Sequence, residues 1–221
     1  MLAANRLAPA LESLPRVFAL SDLKQLLPGE EDQALDVALR WLEAGVIKQV
    51  APPRPVFFKV ILGEELDEVD RCRGLLRAFP SLVMVAGSVL WRQGLSAQRD
   101  TLLECCVSES ELNCNLPGVA LRWRPPAWWA AVRQAGGIAG DHHGVAMLTP
   151  EMALADAAAF GDVWMPDRGA VDWNQLSTSK LSEATQPLLP LRWPSPFLDL
   201  LLILQVFQYL DQECHLSSNQ M

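Results

Sequence analysis

Residues 34–60, which read ALDVALRWLEAGVIKQVAPPRPVFFKV, decide the fold of the first part of the chain. A helix ended by Gly45 is predicted by apolar residues that recur at helical spacing, namely Ala34, Leu35, Ala38, Leu39 and Leu42. Residues 46–50 and 56–60 are rich in the Val, Ile and Phe typical of strands, and the Pro-rich residues 51–55 separate them. The stretch therefore predicts a helix followed by a β-hairpin.

Two shorter helices are predicted before this stretch. The first covers residues 5–14 and ends at Pro15, and the second is capped by Ser21 and ends at the turn Pro28-Gly29. Three helices followed by a hairpin within 62 residues is the order of a winged helix-turn-helix, whose third helix lies in the major groove of DNA and whose hairpin is the wing. Residues 1–62 are therefore predicted to be a winged helix-turn-helix domain.

The rest of the chain is predicted to hold a connecting helix and a larger domain. Residues 63–80 place the acidic run 64–70 before three arginines near helical spacing, so we expect a connecting helix and a domain boundary near Gly63. Residues 81–221 are predicted to form a mixed α+β domain with a C-terminal helix at 196–212. Its predicted strands are 82–85, 102–107 and 119–123, and its other predicted helices are 88–93, 126–135 and 150–160.

Composition and charge restrict where the protein acts and what it binds. The apolar stretch 197–210 contains polar residues and falls short of the roughly 18 to 20 apolar residues of a membrane span. The N-terminus lacks the pattern of a signal peptide, and the five cysteines form no CxxC pair. We therefore expect a cytoplasmic protein with reduced thiols and no membrane partner. Residues 1–62 carry seven basic and seven acidic side chains, so the rest of the chain holds the net charge of −8.

The predicted DNA-binding residues follow from the winged-helix order. The outward residues of the third helix are expected to be Gln33, Asp36, Arg40 and Glu43. Arg40 is expected to contact a base edge, because arginine binds guanine with two hydrogen bonds. We expect phosphate contacts from one lysine of the second helix and three basic residues of the wing: Lys24, Lys48, Arg54 and Lys59.

Other readings of the sequence remain open. The acidic residues 30–32 at the start of the third helix would face phosphates unfavourably, so the alternative is a winged-helix module that binds a protein and not DNA. A more remote class is a nuclease using Asp100 and Glu104, although no matching acid and lysine follow at a suitable distance. Asp141-His142-His143 and the cysteine pair 105–106 lack metal-ligand spacing, and we predict a polar loop and a strand core there. We therefore expect no catalytic residues, no metal and no cofactor.

Two further motifs resemble a known family. Residues 86–95, AGSVLWRQGL, are similar to the small-residue and leucine pattern that ends in Gly-Leu in AbiEi-family antitoxins. Residues 148–157, LTPEMALADA, resemble that family's Pro-Glu-x-Ala-Leu-x-Asp helix start, and the resemblance covers residues 10–160. The wing differs, because it reads Pro-Pro-Arg-Pro where the family has an Arg-Gly-x-Tyr-like turn.

The resemblance implies a role in type IV toxin–antitoxin pairs of bacteria. It implies a transcriptional regulator that binds double-stranded DNA of its own promoter through the winged helix. It also implies a C-terminal domain that opposes a nucleotidyltransferase toxin.

Overall fold

The computed structural model describes residues 4–27, 29–99 and 101–191, which form a mixed α+β protein with eight helices and two sheets. The chain divides into two compact units. Unit 1 holds the chain up to Leu82 together with residues 109–117 and 143–145, and unit 2 holds residues 83–108, 118–142 and the chain from Ala146 onward. The predicted connecting helix therefore belongs to unit 1, and the predicted C-terminal helix at 196–212 lies outside the described residues.

Unit 1 combines four helices with a small antiparallel sheet. Its elements are α1 (Ala4–Ser13), β1 (Val17–Ala19), α2 (Leu20–Leu26), a 3-10 turn (Glu31–Gln33), α3 (Ala34–Glu43), β2 (Ile47–Gln49), β3 (Val56–Lys59) and α4 (Glu68–Ala78). β2 pairs with β3, with Lys48 opposite Phe58, so the predicted hairpin is confirmed. β1 pairs with the other edge of β3 and gives the strand order β1-β3-β2. Sequence reasoning missed β1, because three residues are too short to show strand alternation.

The core of unit 1 lies between the helices and this sheet. Its buried members are Leu14, Phe18, Leu23, Leu27, Ala34, Val37, Ala38, Trp41, Ile47 and Phe57. The rings of Phe18 and Phe57 pack with their centroids 5.6 Å apart. α3 packs against α2 and β2, and α4 packs against β1 and β3. α2 therefore holds α3 in place, and β1 and α4 hold the β2–β3 hairpin.

The buried face of α3 differs from the predicted one. Its buried residues are Ala34, Val37, Ala38 and Trp41. Leu35 and Leu39 are 50% and 47% exposed, so their predicted place in the core is wrong. Both sets of residues fit a helical repeat, and the face with the large Trp41 ring is the one that fills the core. The two leucines consequently lie on the outward face of α3.

The start of α2 also differs from the prediction. Ser21 lies inside the helix, and the residue before the helix is Ala19, which has no capping side chain. The Asp22 carboxylate instead accepts a hydrogen bond from the Ala19 N–H at 2.9 Å. Arg77 of α4 forms an ion pair with the same carboxylate. Asp22 therefore both stabilises the helix start and joins α2 to α4.

A segment distant in sequence completes unit 1. Asn115 binds β2 and the residue after it, because its side-chain amide donates to the Gln49 carbonyl at 2.9 Å and its N–H donates to the Val50 carbonyl at 2.8 Å. Leu116 is buried, and the Ser81 hydroxyl donates to the Glu109 carboxylate. Residues 109–117 are therefore part of this unit, although they follow the first strands of the second sheet in the chain.

Unit 2 is built on a five-stranded sheet. The elements along this part of the chain are β4 (Val83–Met84), α5 (Ala86–Arg92), β5 (Leu103–Val107), β6 (Val119–Trp123), α6 (Pro126–Gln134), β7 (Ile138–His142), β8 (Val145–Leu148), α7 (Pro150–Phe160) and α8 (Thr178–Thr185). The strand order is β6-β5-β4-β8-β7. β5 runs antiparallel to β4 and parallel to β6, and β8 runs parallel to β4. The strands predicted near residues 82–85, 102–107 and 119–123 are confirmed.

The predicted polar loop after Gly140 is wrong. Asp141 and His142 belong to the end of β7, and His143 with Gly144 forms the turn into β8. Both turn residues have positive φ, 51° and 82°, which is the conformation that tight hairpins need. The Gly and Asp residues of β7 have low strand propensity, so the sequence concealed this hairpin.

α7 is confirmed in the position that its sequence predicts. The Thr149 hydroxyl accepts a hydrogen bond from the Met152 N–H at 3.2 Å, Pro150 occupies the first turn, and Gly161 ends the helix at φ 64°. Nearly all of its side chains are buried, and the helix packs against α5 and α8. Among the described residues, no helix is long and apolar enough to cross a membrane.

Candidate nucleic-acid interface and buried ion-pair network

Three of the five basic residues predicted to contact DNA have exposed side chains. These are Lys24 on α2, Arg40 on α3 and Lys48 on β2. Lys48 follows the buried Ile47, so the strand alternation directs it away from the core. In the described part of the chain, no ion pair joins Arg40 to Asp36 one turn earlier. The Arg40 guanidinium can therefore meet a ligand without first breaking such a pair.

Arg54, in the loop between β2 and β3, contacts other residues of unit 1. Its guanidinium lies 4.4 Å from the centroid of the Phe79 ring and donates a hydrogen bond to the Ala78 carbonyl. The same group lies 3.9 Å from the Glu109 carboxylate. These contacts join the β2–β3 loop to the end of α4. Arg54 therefore stabilises unit 1, and a phosphate would have to compete with three intramolecular partners.

Lys59 of β3 is also engaged within unit 1. Its ammonium donates to the carbonyls of Leu14 and Glu12, at 2.5 and 3.2 Å. These carbonyls lie at the C-terminal end of α1, where helix carbonyls have no partner within the helix. Partial burial lowers the pKa of Lys59, although the negative charge of Glu12 opposes this effect. Lys59 therefore caps α1, and the structure does not group it with the exposed lysines.

The outward face of α3 mixes charged and apolar groups. Asp36, Arg40 and Glu43 are exposed, as predicted, whereas Gln33 is half-buried. Leu35 and Leu39 share this outward side. An arginine can bind a guanine edge, and an apolar side chain can contact a thymine methyl group, so the face contains the groups that read a major groove. It also contains the apolar area that a protein partner would cover.

Unit 2 contains a buried ion-pair network centred on Arg124. The Arg124 guanidinium binds Asp156 through two hydrogen bonds of 2.8 Å. It also binds Asp162 through two hydrogen bonds of 2.8 and 2.9 Å. The side chains of Arg124 and Asp156 are completely buried, whereas that of Asp162 is 21% exposed. The ring of Phe160 lies 4.0 Å from the guanidinium, so the cation is enclosed by two carboxylates and one aromatic face.

The same network shows what Asp156, the aspartate of the motif in residues 148–157, binds. The Trp128 indole N–H donates to the Asp156 carboxylate at 2.8 Å, and Trp128 is fully buried. Burial by itself would lower the pKa of Arg124, but the charge and hydrogen bonds of Asp156 raise that pKa above its ordinary value, so the guanidinium stays charged. Asp156 thus links α7 to α6 and to the residue that follows β6.

Cys106 lies in β5 close to this network. Burial raises the pKa of Cys106 well above its ordinary range, and the negative charge of Asp156 raises it further. Cys72 and Cys105 are buried as well, in agreement with the predicted buried thiols, and Cys114 is half-buried. Cys214 lies outside the described residues.

We expect Cys106 to be nearly inert towards thiol reagents in the folded protein. The thiolate is the reactive form, so a raised pKa and complete burial should slow iodoacetamide alkylation at pH 8 at least about a hundredfold relative to the urea-unfolded chain. Mass spectrometry of timed digests measures the rate at each cysteine. Cys114 is the internal control and should react faster. Equal rates for Cys106 in folded and unfolded protein would contradict the burial of this strand.

Two buried glutamates hold backbone groups. Glu104 is 1% exposed and accepts hydrogen bonds from the Trp164 N–H at 2.9 and 3.0 Å. Arg122 lies 3.7 Å from the same carboxylate. Glu151 of α7 accepts from the Ser177 N–H at 3.3 Å, just before α8. Glu104 therefore has a role in the fold, and Asp100, its partner in the nuclease hypothesis, lies outside the described residues.

No group of three or more His, Cys, Asp or Glu side chains within the described part of the chain could hold a metal ion. The chain matches no protein-family model and no curated protein. The geometry of the two units and the sequence motifs are therefore the basis for assigning a function.

Proposed function

We propose that this protein is a DNA-binding transcriptional autoregulator whose N-terminal unit is a winged helix-turn-helix. The observation that carries the proposal is the order of α1, β1, α2, α3 and the β2–β3 hairpin, with a three-stranded sheet β1-β3-β2. α3 packs against α2 and β2 and keeps Arg40 on its exposed side. In a winged helix, these are the elements that form the recognition helix and the wing.

The exposed groups suggest how DNA is held. α3 lies in the major groove, where Arg40 binds a guanine edge and Leu35 or Leu39 contacts a thymine methyl group. Lys24 and Lys48 contact phosphates on either side. The complex depends on a small number of these ion contacts, so its affinity falls as salt rises, while Asp36 and Glu43 repel nearby phosphates and lower the affinity further at low salt.

We also propose that the C-terminal part of the chain acts as an antitoxin against a nucleotidyltransferase-type toxin in the bacterial cytoplasm. This part of the proposal rests on the resemblance of residues 86–95 and 148–157 to AbiEi-family antitoxins. In the structure, the second of these motifs forms α7, whose Asp156 and Glu151 hold the fold of unit 2 together. The motif therefore supports the resemblance in fold, and the antitoxin activity is tested by co-expression with a nucleotidyltransferase-type toxin.

The DNA-binding proposal predicts different effects for Arg40 and Lys48. Replacing Arg40 with alanine should weaken binding to the protein's own upstream DNA by roughly 1 to 3 kcal/mol and relax sequence preference. Replacing Lys48 with alanine should weaken binding to all sequences alike and reduce the slope of log affinity against log salt by about one. Fluorescence anisotropy with cognate and scrambled duplexes, measured across a salt series, separates the two effects.

The control is Lys59, whose ammonium is already bound to the carbonyls of Glu12 and Leu14. Lys59→Met removes the ammonium that caps α1, so we expect a loss of stability and an unchanged salt slope for the folded protein. Equal losses for Arg40→Ala on cognate and scrambled DNA would remove Arg40 from base recognition. The absence of any salt-sensitive binding to the upstream region would reject the proposal for DNA.

One observation favours a second candidate function, a winged-helix module that binds a protein and not DNA. Leu35 and Leu39 lie four residues apart on α3 and are each about half exposed. Apolar contact of this kind between helices is a common basis for protein recognition. Leu35→Asp should then abolish partner binding, whereas a DNA reader should lose sequence preference and keep a salt-dependent affinity for DNA.

A further inference from the structure

Trp164 is held rigidly at the surface of unit 2. Trp164 is 38% exposed, and its backbone N–H donates to both carboxylate oxygens of Glu104. Its carbonyl accepts from the Gly87 N–H at 3.2 Å. One part of its ring lies directly on Gly87, where a Cβ atom would come within 2.3 Å of the ring. A buried charge thus fixes the backbone of an exposed tryptophan, which is an expensive arrangement for a residue with no surface role.

A second tryptophan, Trp91, lies one helical turn from Gly87, and two guanidinium groups lie over its ring. Gly87 and Trp91 are four residues apart on α5 and therefore lie on the same helix face. The guanidinium carbons of Arg92 and Arg99 lie 5.2 and 4.9 Å from the centroid of the Trp91 ring. Arg99 is exposed, whereas Trp91 and Arg92 are half-buried.

Hydrogen bonds join the two tryptophans into one surface. The Gln98 side chain, next to Arg99, donates to the Asp167 carboxylate at 2.8 Å and accepts from the Asp167 N–H at 2.7 Å. Asp167 is three residues from Trp164. The surface formed by Trp91, Arg99 and Trp164 therefore has a fixed geometry and presents the exposed guanidinium of Arg99, and tryptophan and arginine are among the residues most enriched in interface hot spots.

Unit 1 has an exposed turn that presents a leucine and a carboxylate. Leu62 is 97% exposed at a turn in which the Glu64 N–H bonds to the Ile61 carbonyl at 3.2 Å and Gly63 has a φ of 78°. Arg16 fixes this turn, because its guanidinium binds both the carboxylate and the carbonyl of Glu64 at 3.2 Å. The next residue, Glu65, is exposed. The turn Ile61–Glu65 therefore displays a leucine beside a carboxylate on a pre-ordered backbone.

We propose that the Trp91–Arg99–Trp164 surface binds the Ile61–Glu65 turn of a second copy of this chain. Leu62 packs on the exposed part of the Trp164 ring, and Glu65 pairs with Arg99. Both partners are ordered before they meet, so the association loses little conformational entropy.

The observations favour a protein ligand over a single-stranded nucleic acid at this surface. Stacking of successive bases needs several accessible aromatic faces, but guanidinium groups lie over Trp91, so this surface offers only the exposed part of the Trp164 ring. The chain beyond residue 62 also carries the acidic excess, which repels a polyanion over a longer range than a single carboxylate.

Sedimentation equilibrium of the full chain tests the proposal. Wild-type protein should self-associate reversibly, and Leu62→Asp or Arg99→Glu should raise the dissociation constant at least about tenfold. The double variant Arg99→Glu with Glu65→Arg should return to within about threefold of wild type, because it restores the ion pair with reversed charges. These side chains are exposed, so the variants should fold.

Matched controls locate the contact. Arg133→Glu alters a similar arginine–tryptophan pair, in which the guanidinium carbon lies 5.1 Å from the Trp129 ring, and should not change association. Leu39→Asp alters an exposed leucine of α3 and should likewise have no effect. A monomer at concentrations up to about 1 mM, unchanged association of Leu62→Asp, or loss of association in Leu39→Asp alone would overturn the proposal. Binding of a twelve-residue oligothymidylate that requires Trp164 would also overturn it.

Discussion

Replacing Asp156 with asparagine is expected to destabilise unit 2 by about 3 to 5 kcal/mol, because the change leaves a buried arginine with one of its two carboxylates removed. Asparagine has nearly the same shape as aspartate, so the loss reports the charge and the paired hydrogen bonds rather than a cavity. Hydrogen exchange of peptides from β5 and β6, measured in increasing urea, gives the free energy of unfolding of this unit directly.

Asp162 provides the matched comparison for this result. It makes the same number of hydrogen bonds to Arg124, but its side chain is 21% exposed, and water can replace part of the lost interaction. Asp162→Asn should therefore cost clearly less than Asp156→Asn. Equal and small effects for both variants would show that the Arg124 network does not stabilise the unit as its geometry indicates.

Replacing Trp41 with alanine is expected to destabilise unit 1 by about 3 to 5 kcal/mol, since a large buried ring is removed and a cavity is left. Trp41 is 6% exposed in the core beside α2 and β2. Leu39→Ala, two residues earlier on the same helix, should cost only about 0.5 kcal/mol or less because the side chain is half exposed. Urea unfolding followed through hydrogen exchange of α3 and β2 peptides measures both.

This pair of variants also tests the orientation of α3. A helix rotated so that Leu39 points inward would reverse the order, with Leu39→Ala costing more than Trp41→Ala. In that case Arg40 would move away from its exposed position, and the proposed base contact would lose its support. The stability comparison can be made without knowing any DNA target.

The sequence predicted those elements whose signals are local. The β2–β3 hairpin and α7 were found because a proline-rich loop, a threonine cap and terminal glycines mark their ends. The buried face of α3 was predicted wrongly, because Leu35 and Leu39 fit the helical repeat as well as Val37 and Trp41 do. Only packing decides between the two faces. The β7–β8 hairpin was missed because Gly140 and Asp141 are poor strand residues.

The candidate site was predicted in part for a similar reason. The exposure of Arg40 and Lys48 follows from their position in a helix and a strand. The partners of Arg54 are Ala78, Phe79 and Glu109, which lie far away in the sequence and could not be inferred from spacing. The role of Asp156 was likewise hidden, because its partners lie on other elements: Arg124 follows β6 and Trp128 lies in α6.

The participation of residues 109–117 in unit 1 bears on how the chain folds during synthesis. A ribosome that has released only the first 82 residues has supplied every helix and strand of unit 1, but not Asn115, which binds the Gln49 and Val50 carbonyls, nor Leu116. Unit 1 must therefore wait for two strands of the other sheet, β4 and β5, to emerge before it can be completed. A fragment that stops at Leu82 consequently lacks part of unit 1, and one that stops at residue 117 gains Asn115 and Leu116 but still lacks residues 143–145, which belong to the same unit.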